Sequence, residues 1–177
     1  MCKTTTLFAA LATAALLTAC VGMGGSSGPS AIAQLAPTTG NTTQGEIRFT
    51  QTAPGKVRVR GEIRGLRPNV EHGFHVHERG DCSSGDGMST GGHFNPASAP
   101  HGQHGMGTHH AGDLPSLEAD AGGNARIDFE SSTLAVGSGA ADVVGKGLIV
   151  HRDPDDYRTQ PTGNAGPRLA CAVIQRT

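Results

Sequence analysis

Eight of the nine histidines in this chain (His72, His75, His77, His93, His101, His104, His109 and His110) fall within residues 72–113, a glycine-rich stretch that closes on Asp113. A segment so poor in apolar side chains cannot offset the entropy of its own ordering, so it needs a frame built from the rest of the chain. Imidazole gathered at this density points to metal.

The frame reads as strands. Ile47 and Phe49 alternate with Glu46, Arg48 and Thr50, and Val57 and Val59 alternate with Arg58 and Arg60, the period of half-buried strands. Ala53-Pro54-Gly55 supplies the tight turn between them. Strands are predicted over 31–35, 46–51, 56–63, 71–78, 116–120, 124–130, 141–151 and 169–175, and no stretch of 31–177 shows sustained helical periodicity. About eight short strands in one domain argue for an all-β antiparallel sandwich or barrel. With five Phe, one Tyr and no Trp, its core must rest on Val, Ile, Leu and Ala. Two connections, 79–112 and 152–168, are too long for simple turns, and loops of that length in a compact domain usually carry function.

Residues 1–19 read as an export signal: Lys3, an apolar run over 7–17, then Leu17-Thr18-Ala19-Cys20. The run is too short for a permanent membrane span. Small residues before a cysteine resemble the lipobox of bacterial lipoproteins, which makes Cys20 the expected site of lipidation and cleavage. Residues 20–30, small and polar, suit a flexible tether to a domain at 31–177. The expected location is a bacterial periplasm or envelope. Cys2 leaves with the signal and Cys20 takes the lipid, so Cys82 and Cys171 remain, and in an oxidising compartment they most simply form one disulfide. Fourteen basic against fifteen acidic residues make no case for a nucleic-acid partner.

In Gly73-Phe74-His75-Val76-His77 the two histidines stand two apart, so on a strand both imidazoles share a face. His72 is out of phase with them and is expected on the opposite, solvated face. His93, His101, His110 and Asp113 offer three imidazoles and a carboxylate, a set suited to tetrahedral zinc. His151 closes the apolar run before the second loop and can add a further nitrogen to the strand pair, and a set of nitrogens with an open face suits redox copper. His104 and His109 have no assigned ligand role.

GFHVHERGDC, GGHFNP, HAGDL, GLIVHRDPDD and GNAGPRLACAVI resemble, in order, the motifs of copper,zinc superoxide dismutases, and the likeness spans residues 31–174. The resemblance implies a Greek-key β-barrel carrying one copper and one zinc per subunit. It implies dismutation of superoxide to dioxygen and hydrogen peroxide, with copper alternately reduced and reoxidised. His75, His77, His93 and His151 are the implied copper ligands; His93, His101, His110 and Asp113 the implied zinc ligands. By the same resemblance Asp155 links a copper histidine to a zinc histidine, His93 joins in catalysis as the bridge, and Arg168 guides the anion. A homodimer is expected by family habit, with a monomer as the alternative. The chain departs from eukaryotic members in a shorter second loop without their Lys/Glu-rich stretch, where Arg152 and Arg158 are candidate substitutes, and in Pro167, which restricts Gly166. A rival reading from another class is a lipoprotein that buffers or delivers copper and zinc without turnover.

Overall fold

In the computed structural model of the chain the described residues are Met1 and 28–177, so the expected signal segment, Cys20 and most of the tether lie outside them. β1 (Ser30–Pro37), β2 (Gln44–Ala53) and β3 (Lys56–Arg64) run as an antiparallel meander. The chain is already held ahead of β1, where the Pro29 carbonyl accepts the Gln51 N–H at 2.9 Å. From β3 the chain crosses to the far end of the sheet to form β5 (Phe74–His77), then returns to place β7 (Ala125–Ser131) beside β3. It crosses again to set β8 (Gly147–His151) against β5, followed by β9 (Arg168–Val173). The resulting order is β5-β8-β9-β1-β2-β3-β7, an antiparallel curled sheet with the crossing connections of a Greek key. A separate ribbon pairs β4 (Glu71–His72) with β6 (Leu117–Glu118), and β10 (Gln175–Arg176) adds to β1. The only helical element among the described residues is a 3₁₀ turn, Met88–Thr90, and no helix there is long and apolar enough to cross a membrane.

The alternation read from β2 and β3 holds. Ile47, Phe49, Val57 and Val59 are all fully buried, packed with Leu148 and Val150 of β8 and the alanines of β1 and β9. Four predicted strands are cut short: 116–120 keeps only Leu117–Glu118, and three others shorten for local reasons. The 71–78 strand breaks at Gly73 into β4 and β5. Only Gly147–His151 of 141–151 is extended, because Asp142 Oδ1 accepts the N–H groups of Gly137 and Val144 and Gly145 takes a φ of 78°. The 169–175 strand is interrupted at Ile174, whose N–H turns away to the Lys146 carbonyl.

β5 would be an edge strand, and an unpaired edge is costly. The long first loop covers it: Phe94 N–H donates to the Val76 carbonyl, Val76 N–H to Gly112, Gly112 N–H to Phe94, and Leu114 N–H to Phe74, at 2.8–3.3 Å. Gly112 is required there, since a Cβ would run into the Val76 carbonyl. The loop is therefore zipped along the strand that carries His75 and His77.

A disulfide joins Cys82 to Cys171 across 89 positions, with Cα atoms 5.9 Å apart. Cys171 lies inside β9, opposite Ile149 of β8 and Ala36 of β1, so the start of the first loop is stitched to the middle of the sheet. Closing so long a loop restricts the unfolded chain, and the paired substitution Cys82→Ser/Cys171→Ser should lower unfolding free energy by about 2–5 kcal/mol. Denaturant titration checks this; an unchanged midpoint would show that the cross-link constrains nothing.

Candidate metal centre

Two groups of side chains converge where the first loop meets β5 and β8. The first set is His75, His77, His93 and His151; the second is His93, His101, His110 and Asp113; in each, one donor atom per residue lies within 4.8 Å of the others. β5 presents His75 and His77 on the face opposite Phe74 and Val76, as strand alternation requires. His93 arrives through an antiparallel bridge to His77, and His151 ends β8, the hydrogen-bonded neighbour of β5. His93 is common to both sets.

The protein fixes which nitrogen of each ring faces inward. His77 and His151 each donate Nδ1–H to a main-chain carbonyl, Gly91 at 2.9 Å and Gly166 at 3.1 Å, which leaves a lone pair on each Nε2. Those two Nε2 atoms sit 3.4 Å apart. Two lone pairs so close repel unless a cation lies between them. His75 uses Nε2 on Asp155 and His93 uses Nδ1 on Asp113, and the remaining atoms, His75 Nδ1 and His93 Nε2, are buried without any hydrogen-bond partner. Buried polar atoms are rarely left so. In the second set Asp113 Oδ1 lies 2.8, 3.0 and 3.3 Å from the Nδ1 atoms of His93, His101 and His110. Three nitrogens around one carboxylate oxygen are a donor set that zinc fits, and four nitrogens without a carboxylate are one that copper fits.

One carboxylate ties the sets together. Asp155 Oδ2 lies 2.7 Å from His75 Nε2 and its Oδ1 lies 2.9 Å from His101 Nε2. Gly163 is packed so closely against Asp155 and His101 that a side chain there would displace both. Burial, with neighbouring histidines and Arg168 adding to it, holds His77 well below the ordinary imidazole value, and burial does the same to His151. Burial also lowers His93, to about 4, despite its bond to Asp113. His101 is the exception: burial opposes its charge, but Asp113 and Asp155 together raise it to about 9. Burial likewise opposes the charge of Asp113 and Asp155, yet their histidine partners hold both well below the usual carboxylate range.

Arg168 opens β9 half-buried, and its guanidinium donates to the carbonyls of Gly87 and Gly91 and to Thr90 Oγ1. Gly91 O thus receives both Arg168 and His77. No carboxylate lies within ion-pair distance of Arg168 among the described residues, whereas Arg152 is paired with Asp153 at 2.9 Å. Arg158 is exposed and has no carboxylate within ion-pair distance among the described residues.

His72 corrects a sequence expectation. It is fully buried rather than solvated, because the far side of this strand is the barrel interior shared with Phe74 and Val76, and its Nδ1–H reaches the His151 carbonyl at 2.9 Å. Several contributors had no signal in the sequence. Gln160 clamps the main chain of His101 through both ends of its amide, at 2.8 and 2.9 Å. Tyr157 ties the second loop to Glu71 and Ser116 through its hydroxyl, and burial raises that hydroxyl to about 12. The carbonyls that orient His77, His151 and Arg168 belong to glycines whose partners only the fold reveals.

A Greek-key β-fold with two histidine clusters sharing one ring defines a protein built for a pair of adjacent metal ions. The comparisons agree: the model of the copper/zinc superoxide dismutase family matches residues 43–174, and the chain belongs to that family. A relative named superoxide dismutase [Cu-Zn] 2, from Aquifex aeolicus (strain VF5), is 38% identical over 141 residues, covering 75% of this chain and 82% of its own length. Superoxide dismutase [Cu-Zn] of Paramecium bursaria Chlorella virus 1 is 39% identical over 137 residues, covering 74% and 72%. The crystal structure of the clock protein EA4 superposes with a TM-score of 0.76 at 42% identity, covering 84% of this chain and 94% of that one.

The buried neutral imidazoles set a pH dependence for the metal-stripped protein. An unfolded histidine binds a proton near pH 6.5, while folded His93 resists until about 4 and His77 and His151 resist as well. The unfolded state therefore takes up protons first as pH falls, and stability is lost through this window. His101 acts in the opposite sense, its contribution fading as pH rises from about 6.5 to about 9. Denaturation midpoints of chelator-treated protein should drop from pH 6.5 to 4; a flat profile would mean these rings are not held neutral.

Proposed function

We infer that this chain dismutates superoxide at a copper held by His75, His77, His93 and His151, beside a zinc held by His93, His101, His110 and Asp113. The observation that carries the assignment is that His75 Nδ1 and His93 Nε2, two of the three buried ring nitrogens without partners among the described residues, share one cluster with the facing Nε2 atoms of His77 and His151, whereas the third, His72 Nε2, lies in neither set. Bound copper supplies the one-electron exchange that turns two superoxide ions and two protons into dioxygen and hydrogen peroxide, and bound zinc supplies fixed charge.

The chain's own groups do the rest. Arg168, held by three hydrogen bonds and lacking a carboxylate partner, draws in a small anion and orients it. His93 holds and releases a proton at Nε2, while its Nδ1 stays engaged with the zinc side, so the ring does not swing. Asp155 accepts from Nε2 of His75 and of His101, which orients both rings with Nδ1 inward. The four copper-side rings are only 0–6% exposed, which keeps bulk water from competing for their lone pairs. Arg168 also separates this reading from metal buffering, which has no use for an anion guide.

Protein loaded with both metals should remove superoxide far faster than the same concentration of free copper. Full metal content without that excess would sink the assignment. His93→Ala should lower copper and zinc content together by elemental analysis, because one ring serves both; loss of a single metal contradicts the bridge.

We further propose that the enzyme works in a bacterial envelope, tethered through lipid on Cys20. The lipobox-like Leu17-Thr18-Ala19-Cys20 and a disulfide suited to an oxidising compartment support this. Full-length protein should partition into detergent and Cys20→Ala should release it to the aqueous phase; equal partitioning of both would refute the anchor.

A further inference from the structure

Three histidines belong to neither metal set, and each makes the same contact. His72 Nδ1 lies 2.9 Å from the carbonyl of His151, His104 Nδ1 lies 2.9 Å from the carbonyl of Asp113, and His109 Nδ1 lies 2.7 Å from the carbonyl of His110. A carbonyl only accepts, so all three rings carry their proton on Nδ1. We propose that His72, His104 and His109 are positioning residues that hold the main chain of metal ligands, His104 and His109 for zinc and His72 for copper.

The contacts fall where backbone pairing is thin. His110 and Asp113 stand in a turn held by the Asp113 N–H on the His110 carbonyl, at 3.2 Å, and by Asp113 Oδ2 accepting the N–H groups of Gly102 and His110. Beyond this turn the chain contains Gly105 and Gly107, both at positive φ. The rings of His104 and His109 bind that glycine-bearing stretch back onto the turn. His104 is steadied in turn by an edge-on contact with Phe129, ring centres 5.3 Å apart. His109 is fully used, since its Nε2 accepts the Gly105 N–H at 3.2 Å. With both nitrogens spent on backbone, His109 is a strut rather than a spare ligand.

His151 is the copper-side counterpart. It ends β8 at a register shift against β9, and its carbonyl is held by the buried His72 ring. Fixing these carbonyls fixes the Cα–Cβ directions of the ligands before an ion arrives. Outer partners of metal ligands are typically worth about 10–100-fold in affinity.

The inference rests on copper at the first set and zinc at the second, and chelator competition separates the two. His104→Phe/His109→Phe, which keeps both rings and removes the donors, should weaken zinc binding about 10–100-fold and leave copper binding unchanged. His72→Leu should do the reverse. His104→Asn/His109→Asn, with an amide nitrogen close to the place of Nδ1, should restore most of the zinc affinity. Unchanged affinities in the Phe pair, equal loss of both metals, or failure of the Asn pair to recover would each overturn the proposal while leaving the ligand assignment intact. Wild-type protein that binds neither metal would overturn both. Should the buried His72 variant fail to fold, the half-exposed pair decides alone.

Discussion

Asp155 is the contact on which the rest of the site depends. One carboxylate spends its two oxygens on the Nε2 atoms of His75 and His101, residues from β5 and from the first loop, while itself belonging to the second loop. That single group engages Nε2 of both rings, so both Nδ1 atoms face inward. It also joins the two loops to each other across the barrel end. Gly163, packed against Asp155 and His101, and Tyr157, whose N–H caps Asp155 Oδ1, leave the carboxylate no other place to go. The tyrosine hydroxyl on Glu71 and Ser116 and the Gln160 amide on His101 then anchor the loop at further points.

Around this carboxylate the electrostatics divide cleanly. In the first set, the rings of His77, His93 and His151 are kept neutral chiefly by burial, which preserves their lone pairs as donors. The second set is charged: Asp113 remains ionised because His101, His110 and His93 surround it, and His101 is raised to about 9. A dicationic metal replacing that proton meets a carboxylate already poised for positive charge. The ordering by burial and by partner follows from where each ring sits relative to β5, whose own residues are all buried.

Much of this was legible in the sequence, for identifiable reasons. Ile47, Phe49, Val57 and Val59 gave β2 and β3 because one face of each strand is wet, so alternation reports geometry. The His75/His77 spacing placed both rings on one face for the same reason. His72 departs from its expected solvated place because alternation gives the side of a strand and not what lies there; on β4 the other side is the core. The 141–151 stretch was read as one strand because Ala141, Val143 and Val144 are apolar, while its turn is written in the Asp142 side chain and in Gly145. Gly87, Gly91 and Gly166 act through carbonyls, which every residue has, and a donor's choice among them appears only once the chain is folded.

On the proposed reading, the placement of Arg168 lets a short second loop still serve an anionic substrate. Arg152 is neutralised by Asp153 and Arg158 is exposed, and exposed charges are screened within about 8–10 Å at ordinary salt, so the loop offers little long-range field. Arg168 instead opens β9, three residues before Cys171, and its guanidinium is locked onto the loop that the Cys82–Cys171 disulfide stitches to the sheet. Burial lowers its proton affinity, but from a value so high that it stays cationic. A fixed, half-desolvated cation beside the copper-side rings acts over a short range where screening is weak. Its strength therefore depends on the rigidity of residues 87–91 more than on the number of lysines nearby, which is why the disulfide, whose Cys171 pairs with Ile149 and through it with His75, belongs to the functional design.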